Sequence, residues 1–313
     1  MAVAYTISRE ENARLTRRIT ALSVATALVL TLLKAAVWVA GGSVAILASL
    51  ADSGLDLIAA CGTFVAVRYA AAPPDAEHRF GHGKAEAFAS LVQAGLVFAS
   101  AALIGQEAVR HFIEPSRLEH QGWGIAVMAL STVLTVLLVT AQTRVLRRTR
   151  SVAVSGDRAH YVADLASNVA ALIAIAASAL FGISGFDAAG GIVVALVLLW
   201  GAVSVFRQAS DELMDRELPD EARARIVSLM TADARLTGVH QLRTRAAGPT
   251  VHIQMHADLD PELSLENAHE VVVAAEKRVL EAFPNADIII HADPRGRAEP
   301  HGGAFAEAGA QSA

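Results

Sequence analysis

The chain has 313 residues, 54% of them hydrophobic and 18% charged, with a mean hydropathy of +0.43. That balance is too apolar for an ordinary soluble domain. A formal net charge of −5 and a pI near 6.1 leave no electrostatic footprint for nucleic acid. The single cysteine, Cys61, excludes an intramolecular disulfide and a cysteine-based metal site, and reads as a small packing residue in a helix.

The first 18 residues carry Arg9, Arg14, Arg17 and Arg18. The apolar stretch behind them is too long for a signal-peptide core and no small-residue cleavage site follows cleanly, so it reads as a retained first span. It is the first of six apolar blocks, at about 19–40, 43–68, 86–108, 122–143, 161–182 and 187–206. Each is long enough to cross roughly 30 Å of hydrocarbon as a helix. Arg68, Arg79 and Lys84 lie between the second and third blocks, and Arg144, Arg147, Arg148, Arg150 and Arg158 between the fourth and fifth. The opposite connections are Gly-Gly-Ser at 41–43, a balanced segment at 109–121 and a segment at 183–187 whose one charge is Asp187. The positive-inside rule therefore predicts that both termini are cytoplasmic.

After residue 210 the pattern becomes that of a soluble domain. It predicts a helix at 219–233, strands at 238–245 and 250–258, a helix at 264–283 and a strand at 286–291. The expected fold is an all-α six-helix transmembrane bundle in 1–212, a small α+β domain of order αββαβ in 213–295, and a Gly/Ala-rich disordered tail in 296–313.

Charged residues inside the spans carry the chemistry, because a carboxylate at bilayer depth is costly and normally faces a cavity or a partner. Asp52 and Asp56 stand four residues apart in the second span, and His160 and Asp164 repeat that spacing in the fifth. Each pair shares one helix face. Two facing helices can thus close four ligands around one ion, as in bundle metal sites. Three carboxylates and one imidazole suit a divalent metal such as Zn²⁺. The competing reading makes His160 and Asp164 a capped, solvated helix end. Lys34, in the first span, can pair with Asp52 or Asp56 or extend its stem to the interface; the second is expected.

The segment "PPDAEHRFGHGKAE" offers Asp75, His78 and His82 on a short loop, either as a three-ligand metal site or as solvated side chains. The soluble domain holds His240, His252, His256, His269, His291 and Asp293. His252 and His256 are an even number apart on a strand and so share a face. Scattered surface histidines are the alternative.

Taken together, "LADSGLD", "FGHGKAE", "HYVAD", "LPDE", "GVHQLRTR" and "IIHADP" resemble the cation diffusion facilitators, of the bacterial zinc/ferrous-iron efflux type, over about residues 10–295. The resemblance implies a homodimeric proton antiporter of the inner membrane, with a metallochaperone-like cytoplasmic domain, exporting divalent metal from the cytoplasm. Zn²⁺ is the expected cargo and regulator, with Fe²⁺, Cd²⁺ and Co²⁺ as alternatives. It implies a transport site at Asp52, Asp56, His160 and Asp164, and a loop site at Asp75, His78 and His82. A cytoplasmic site is implied at His240, His256, His291 and Asp293, with His269 as a further ligand, and a dimer interlock between Lys84 and Asp215. His252 is outside the family pattern. Arg residues replace the His-rich loop of vesicle-loading relatives between the fourth and fifth spans.

Three other classes are weighed. An intramembrane metalloenzyme needs a nucleophile-activating constellation, and the sequence has no HExxH. A channel predicts proton-independent flux. A sensor that had lost transport would lack the four membrane ligands, which are present here.

Overall fold

The six long helices are coated with apolar side chains and hold their polar ones inside. In the computed structural model, which describes residues 7–41, 44–113, 122–181 and 186–297, Leu32, Ile58, Val65, Phe98, Leu137 and Trp200 are exposed. Thr20, Ser53, Ser90, Gln93, Gln142 and Asp157 are buried. Such an inverted pattern is stable in lipid, where the helical backbone is satisfied internally and polar side chains find partners between helices.

The helices are α1 (Arg9–Gly41), α2 (Val44–Ala70), α3 (Ala85–Ile113), α4 (Gly122–Thr149), α5 (Val152–Phe181) and α6 (Phe186–Leu213). Among the described residues, five are long and apolar enough to cross a membrane. The sixth, α5, carries Asp157, Arg158, His160 and Asp164 in its first half. Two expectations need correction. Helix α1 begins at Arg9 rather than near 19, and the arginine-rich segment expected as a loop at 144–158 is helical except at Arg150 and Ser151. Hydropathy marks the hydrocarbon, whereas helix ends are set by backbone signals; Arg150, at φ 52, breaks the chain between α4 and α5.

Small residues bring the helices close. A Cβ on Gly156 of α5 would lie 2.9 Å from Ser90 Oγ and 3.1 Å from Ser90 Cα of α3. One on Gly191 of α6 would lie 2.8 Å from Ala108 Cβ of α3. Val97 and Ala101 of α3, Ala163 of α5, and Leu198 and Ala202 of α6 form the apolar core. Polar bonds fix the rest. Asp157 Oδ2 accepts from Ser23 Oγ of α1 at 2.6 Å and from Gln142 Nε2 of α4 at 2.9 Å, and Tyr161 Oη donates to Ser23 O at 3.1 Å. The first half of α5 is thereby tied to α1 and α4.

The chain divides into two compact units, 1–216 with 245–251, and 217–244 with the residues from 252 on. The soluble elements are α7 (Asp220–Met230), β1 (Leu236–Ala247), β2 (Thr250–Leu259), α8 (Leu265–Ala282) and β3 (Ala286–Pro294), giving the expected order αββαβ with sheet order β1-β2-β3. Helix α8 starts at Ser264, whose side chain accepts the Asn267 N–H, and buries Val271, Ala275 and Val279 as one stripe. Alternate residues of β2, from Val251 to Leu259, are buried, which leaves His252, His256 and Asp258 on the other face. Arg278 of α8 donates to the carbonyls of Leu229 and Met230, satisfying the end of α7. Most of the expected tail, from 298 on, lies outside the described residues, as do 42–43, 114–121 and 182–185 of the loops used for orientation.

Candidate metal centres

Helices α2 and α5 present their paired ligands to each other. Asp56 Oδ1 lies 2.8 Å from His160 Nε2, and Asp164 Oδ2 lies 3.8 Å from the same nitrogen. Asp56, His160 and Asp164 offer three donor atoms within 4.8 Å of one another. Asp52 is not in this set, but it lines the same cavity of about 250 Å³ as Asp56 and Asp164, one turn along α2. Five helices contribute to that cavity, and Ser131, Thr135, Ser167 and Asn168 add polar lining. His160 Nδ1 is buried without a hydrogen bond among the described residues, so its Nε2 edge is the one that meets the carboxylates. Such a set of hard oxygens and one imidazole nitrogen can hold a divalent cation.

Lys34 departs from expectation. Its ammonium turns into the cavity and donates to Ser53 Oγ at 2.6 Å and Ser49 O at 3.2 Å, both on α2. It therefore bonds to α2 inside the cavity, and among the described residues it forms no ion pair within 4.0 Å with Asp52 or Asp56. The small side chains on α2 leave it room, and Ser53 satisfies it.

The loop residues Asp75, His78 and His82 also gather within 4.8 Å. Asp75 Oδ1 accepts the N–H groups of Glu77 at 2.9 Å and His78 at 2.6 Å, and the His78 backbone N–H is the main reason that its carboxyl is held below the usual range. His82 is buried. Its Nε2 lies 3.1 Å from Asp75 Oδ2, yet neither ring nitrogen makes a hydrogen bond among the described residues. Contact without hydrogen-bond geometry fits two donors aimed at a common third point.

In the soluble unit, His240 of β1, His256 of β2 and Asp293 of β3 form a third set within 4.8 Å. Asp293 is buried and divides its oxygens: Oδ2 lies 2.8 Å from His256 Nδ1 and 3.4 Å from His240 Nε2, and Oδ1 lies 3.3 Å from His291 Nε2. His291 therefore adjoins the set, its ring 4.7 Å from that of His256. His269 on α8 is exposed and stands outside it. His252 lies instead 3.1 Å from Asp287. The donor chemistry suits zinc, and the buried His240 Nε2 makes no hydrogen bond among the described residues.

Lys84 Nζ meets Asp215 Oδ1 at 2.9 Å and the Leu213 carbonyl at 3.3 Å within one chain. Arg245 takes the other Asp215 oxygen at 3.0 Å. Partial burial pushes the Asp215 carboxyl up, but these two cations outweigh it and hold the group below its ordinary value.

Sequence reasoning missed Asp157, Glu86 and Asp258. Asp157 stands one turn before His160, so the helical period was the signal available for it. Glu86, buried at the start of α3, accepts from Ser151 Oγ just ahead of α5. Asp258 is two residues beyond His256 on the same strand face.

Residues 20–214 match the model of the cation efflux transmembrane domain, and 218–295 that of the cytoplasmic domain of cation efflux proteins. The cation-efflux pump FieF of Serratia proteamaculans (strain 568) is 39% identical over 282 residues, covering 90% of this chain and 94% of the relative. FieF of Klebsiella pneumoniae is 39% identical over 281 residues, covering 90% and 93%. Among solved structures, the Zn form of CzrB aligns with 28% of this chain and all of its own at 31% identity, with a TM-score of 0.26.

Proposed function

Because the chain belongs to the cation diffusion facilitator family and is a multi-pass cation efflux transporter, we propose that it exports Zn²⁺ from the cytoplasm in exchange for protons by alternating access. The observation that carries this reading is the Asp56–His160–Asp164 cluster, which faces a polar cavity inside a bundle coated with apolar side chains. Asp52, in the same cavity, completes a site of three carboxylates and one imidazole. With every carboxylate ionised and the imidazole neutral, Asp52, Asp56 and Asp164 give the empty site −3, and a divalent ion makes it −1. Ligands must be deprotonated to bind metal, so metal and protons compete for the same groups. Exposed alternately to the two sides, a site with that competition couples inward proton movement to outward metal movement. The mixed N/O donor set also admits Fe²⁺, Cd²⁺ and Co²⁺.

In this reading residues 1–212 are the transmembrane domain, with both termini on the cytoplasmic side of a bacterial inner membrane, and 213–295 form the cytoplasmic domain. The chain works as a homodimer, with Lys84 and Asp215 at its interlock. His240, His256, His291 and Asp293, with His269 as a further ligand, would hold regulatory zinc, which supplies a multivalent cross-link for those side chains. Asp75, His78 and His82 would hold a further ion at the loop.

The test is zinc flux in liposomes containing the purified protein, with and without an imposed pH gradient. The antiporter predicts flux that rises with the gradient and falls to background when a proton ionophore collapses it. Flux that follows the zinc gradient alone would make the protein a channel, and no flux under any gradient would leave a membrane-bound sensor.

A further inference from the structure

We propose that Asp258 is a metal ligand of the cytoplasmic centre, holding one ion together with His240 and Asp293. The inference deepens the regulatory-metal reading above and rests on it. Sheet order β1-β2-β3 sets His240, Asp258 and Asp293 on three adjacent strands. His240 Nε2 lies 3.4 Å from Asp293 Oδ2 and 3.5 Å from Asp258 Oδ1, and it is buried without a hydrogen bond among the described residues. Those separations exceed the roughly 2.7–3.2 Å of a good N–H···O bond. They are close to the edge of a tetrahedron of zinc donors, which is about 3.3 Å for metal–ligand bonds of about 2.0–2.1 Å. An imidazole nitrogen that stands between two carboxylates at that spacing, and bonds to neither, is placed to share a cation with them.

A second observation comes from the backbone. Gly238 is two residues before His240, and a Cβ there would lie 2.7 Å from Asp258 Oδ2. The Asp258 carboxylate occupies the space that the missing side chain leaves. Any larger residue would displace it from its place beside His240. Asp258 is also partly open, its side chain 24% exposed, so an ion can reach it.

Electrostatics agrees with the geometry. Asp258 and Asp293 together carry −2, enough to neutralise one divalent ion, whereas Asp293 by itself faces His240, His256 and His291. Two ions on the cluster would otherwise share one buried carboxylate. His256 Nδ1 meets the same Asp293 oxygen, Oδ2, as His240, so with Asp258 that ion has two oxygens and two nitrogens, while His291 Nε2 meets Oδ1 of Asp293, where a second ion would bind.

The test uses the full-length protein in detergent with Asp56→Ala, His160→Ala and Asp75→Ala, so that the membrane and loop clusters do not contribute. Zinc bound per chain and its affinity are measured by competition with a chromophoric chelator. Asp258→Asn, which keeps the shape and removes the charge, should weaken one zinc at least about tenfold and leave the other unchanged. Gly238→Ala should do the same with Asp258 still present, and serves if Asp258→Asn does not fold. Unchanged zinc binding in Asp258→Asn, where His240→Ala loses an ion, would overturn the assignment of Asp258 alone. Unchanged binding in both variants would overturn the cytoplasmic metal centre and Asp258 with it.

Discussion

The 2.8 Å contact between Asp56 and His160 ranks the proposed ligands of the membrane site. Spacing alone treats Asp52 and Asp56 as equals, because i and i+4 residues share a face. The structure separates them, since Asp56 is in the tight cluster with His160 and Asp164 while Asp52 only lines the cavity. Asp56→Ala should therefore reduce zinc affinity at the membrane site by more than about 100-fold, and Asp52→Ala by about 10–100-fold, the range for groups that support a ligand set. Isothermal titration of the two variants side by side checks the order, and equal losses would restore the symmetric reading. Asp52, Asp56, His160 and Asp164 stand out in the sequence as candidate ligands because buried charge is rare in apolar helices. The position of Lys34 is not legible in the sequence, because the choice between an acidic partner and the interface ignores Ser53 Oγ, 2.6 Å away on another helix.

At the scale of elements, what positions the ligands is the seating of α5 between α1, α3 and α4. Asp157 anchors α5 to Ser23 and Gln142, and Gly156 lets it lie against Ser90. Gly156→Val should force α3 and α5 apart, because even a Cβ would come within 3.1 Å of the α3 backbone. His160 is one turn away, so the expected result is loss of zinc transport and a thermal midpoint several degrees lower, as overpacking by about 1–3 kcal/mol implies. A variant with wild-type melting and transport would show that the close approach is not required. The existence and order of all eleven elements could be read from hydropathy and alternation, but their ends could not. The first turns of α1 are polar and the second turn of α5 carries Asp157 and Arg158, and nothing in that composition separates a helix leaving the bilayer from a loop. β1 runs from Leu236 to Ala247 rather than 238–245 because pairing with β2 extends it past its alternating segment.

For the whole molecule, the membrane cluster is the proposed path for metal and the soluble His/Asp cluster its proposed regulator. The division was legible in the sequence as a change of pattern near residue 210, while the partners of each histidine depended on strands brought side by side by the fold. His252 shows the limit: its residue type and strand face match those of His256, but it turns to Asp287. The most direct measurement is zinc flux under a fixed pH gradient in liposomes holding equal amounts of wild-type, Asp56→Ala and His240→Ala protein. Asp56→Ala should fall to the background of empty liposomes while His240→Ala retains flux that zinc no longer activates. Wild-type flux in Asp56→Ala would contradict the proposed path.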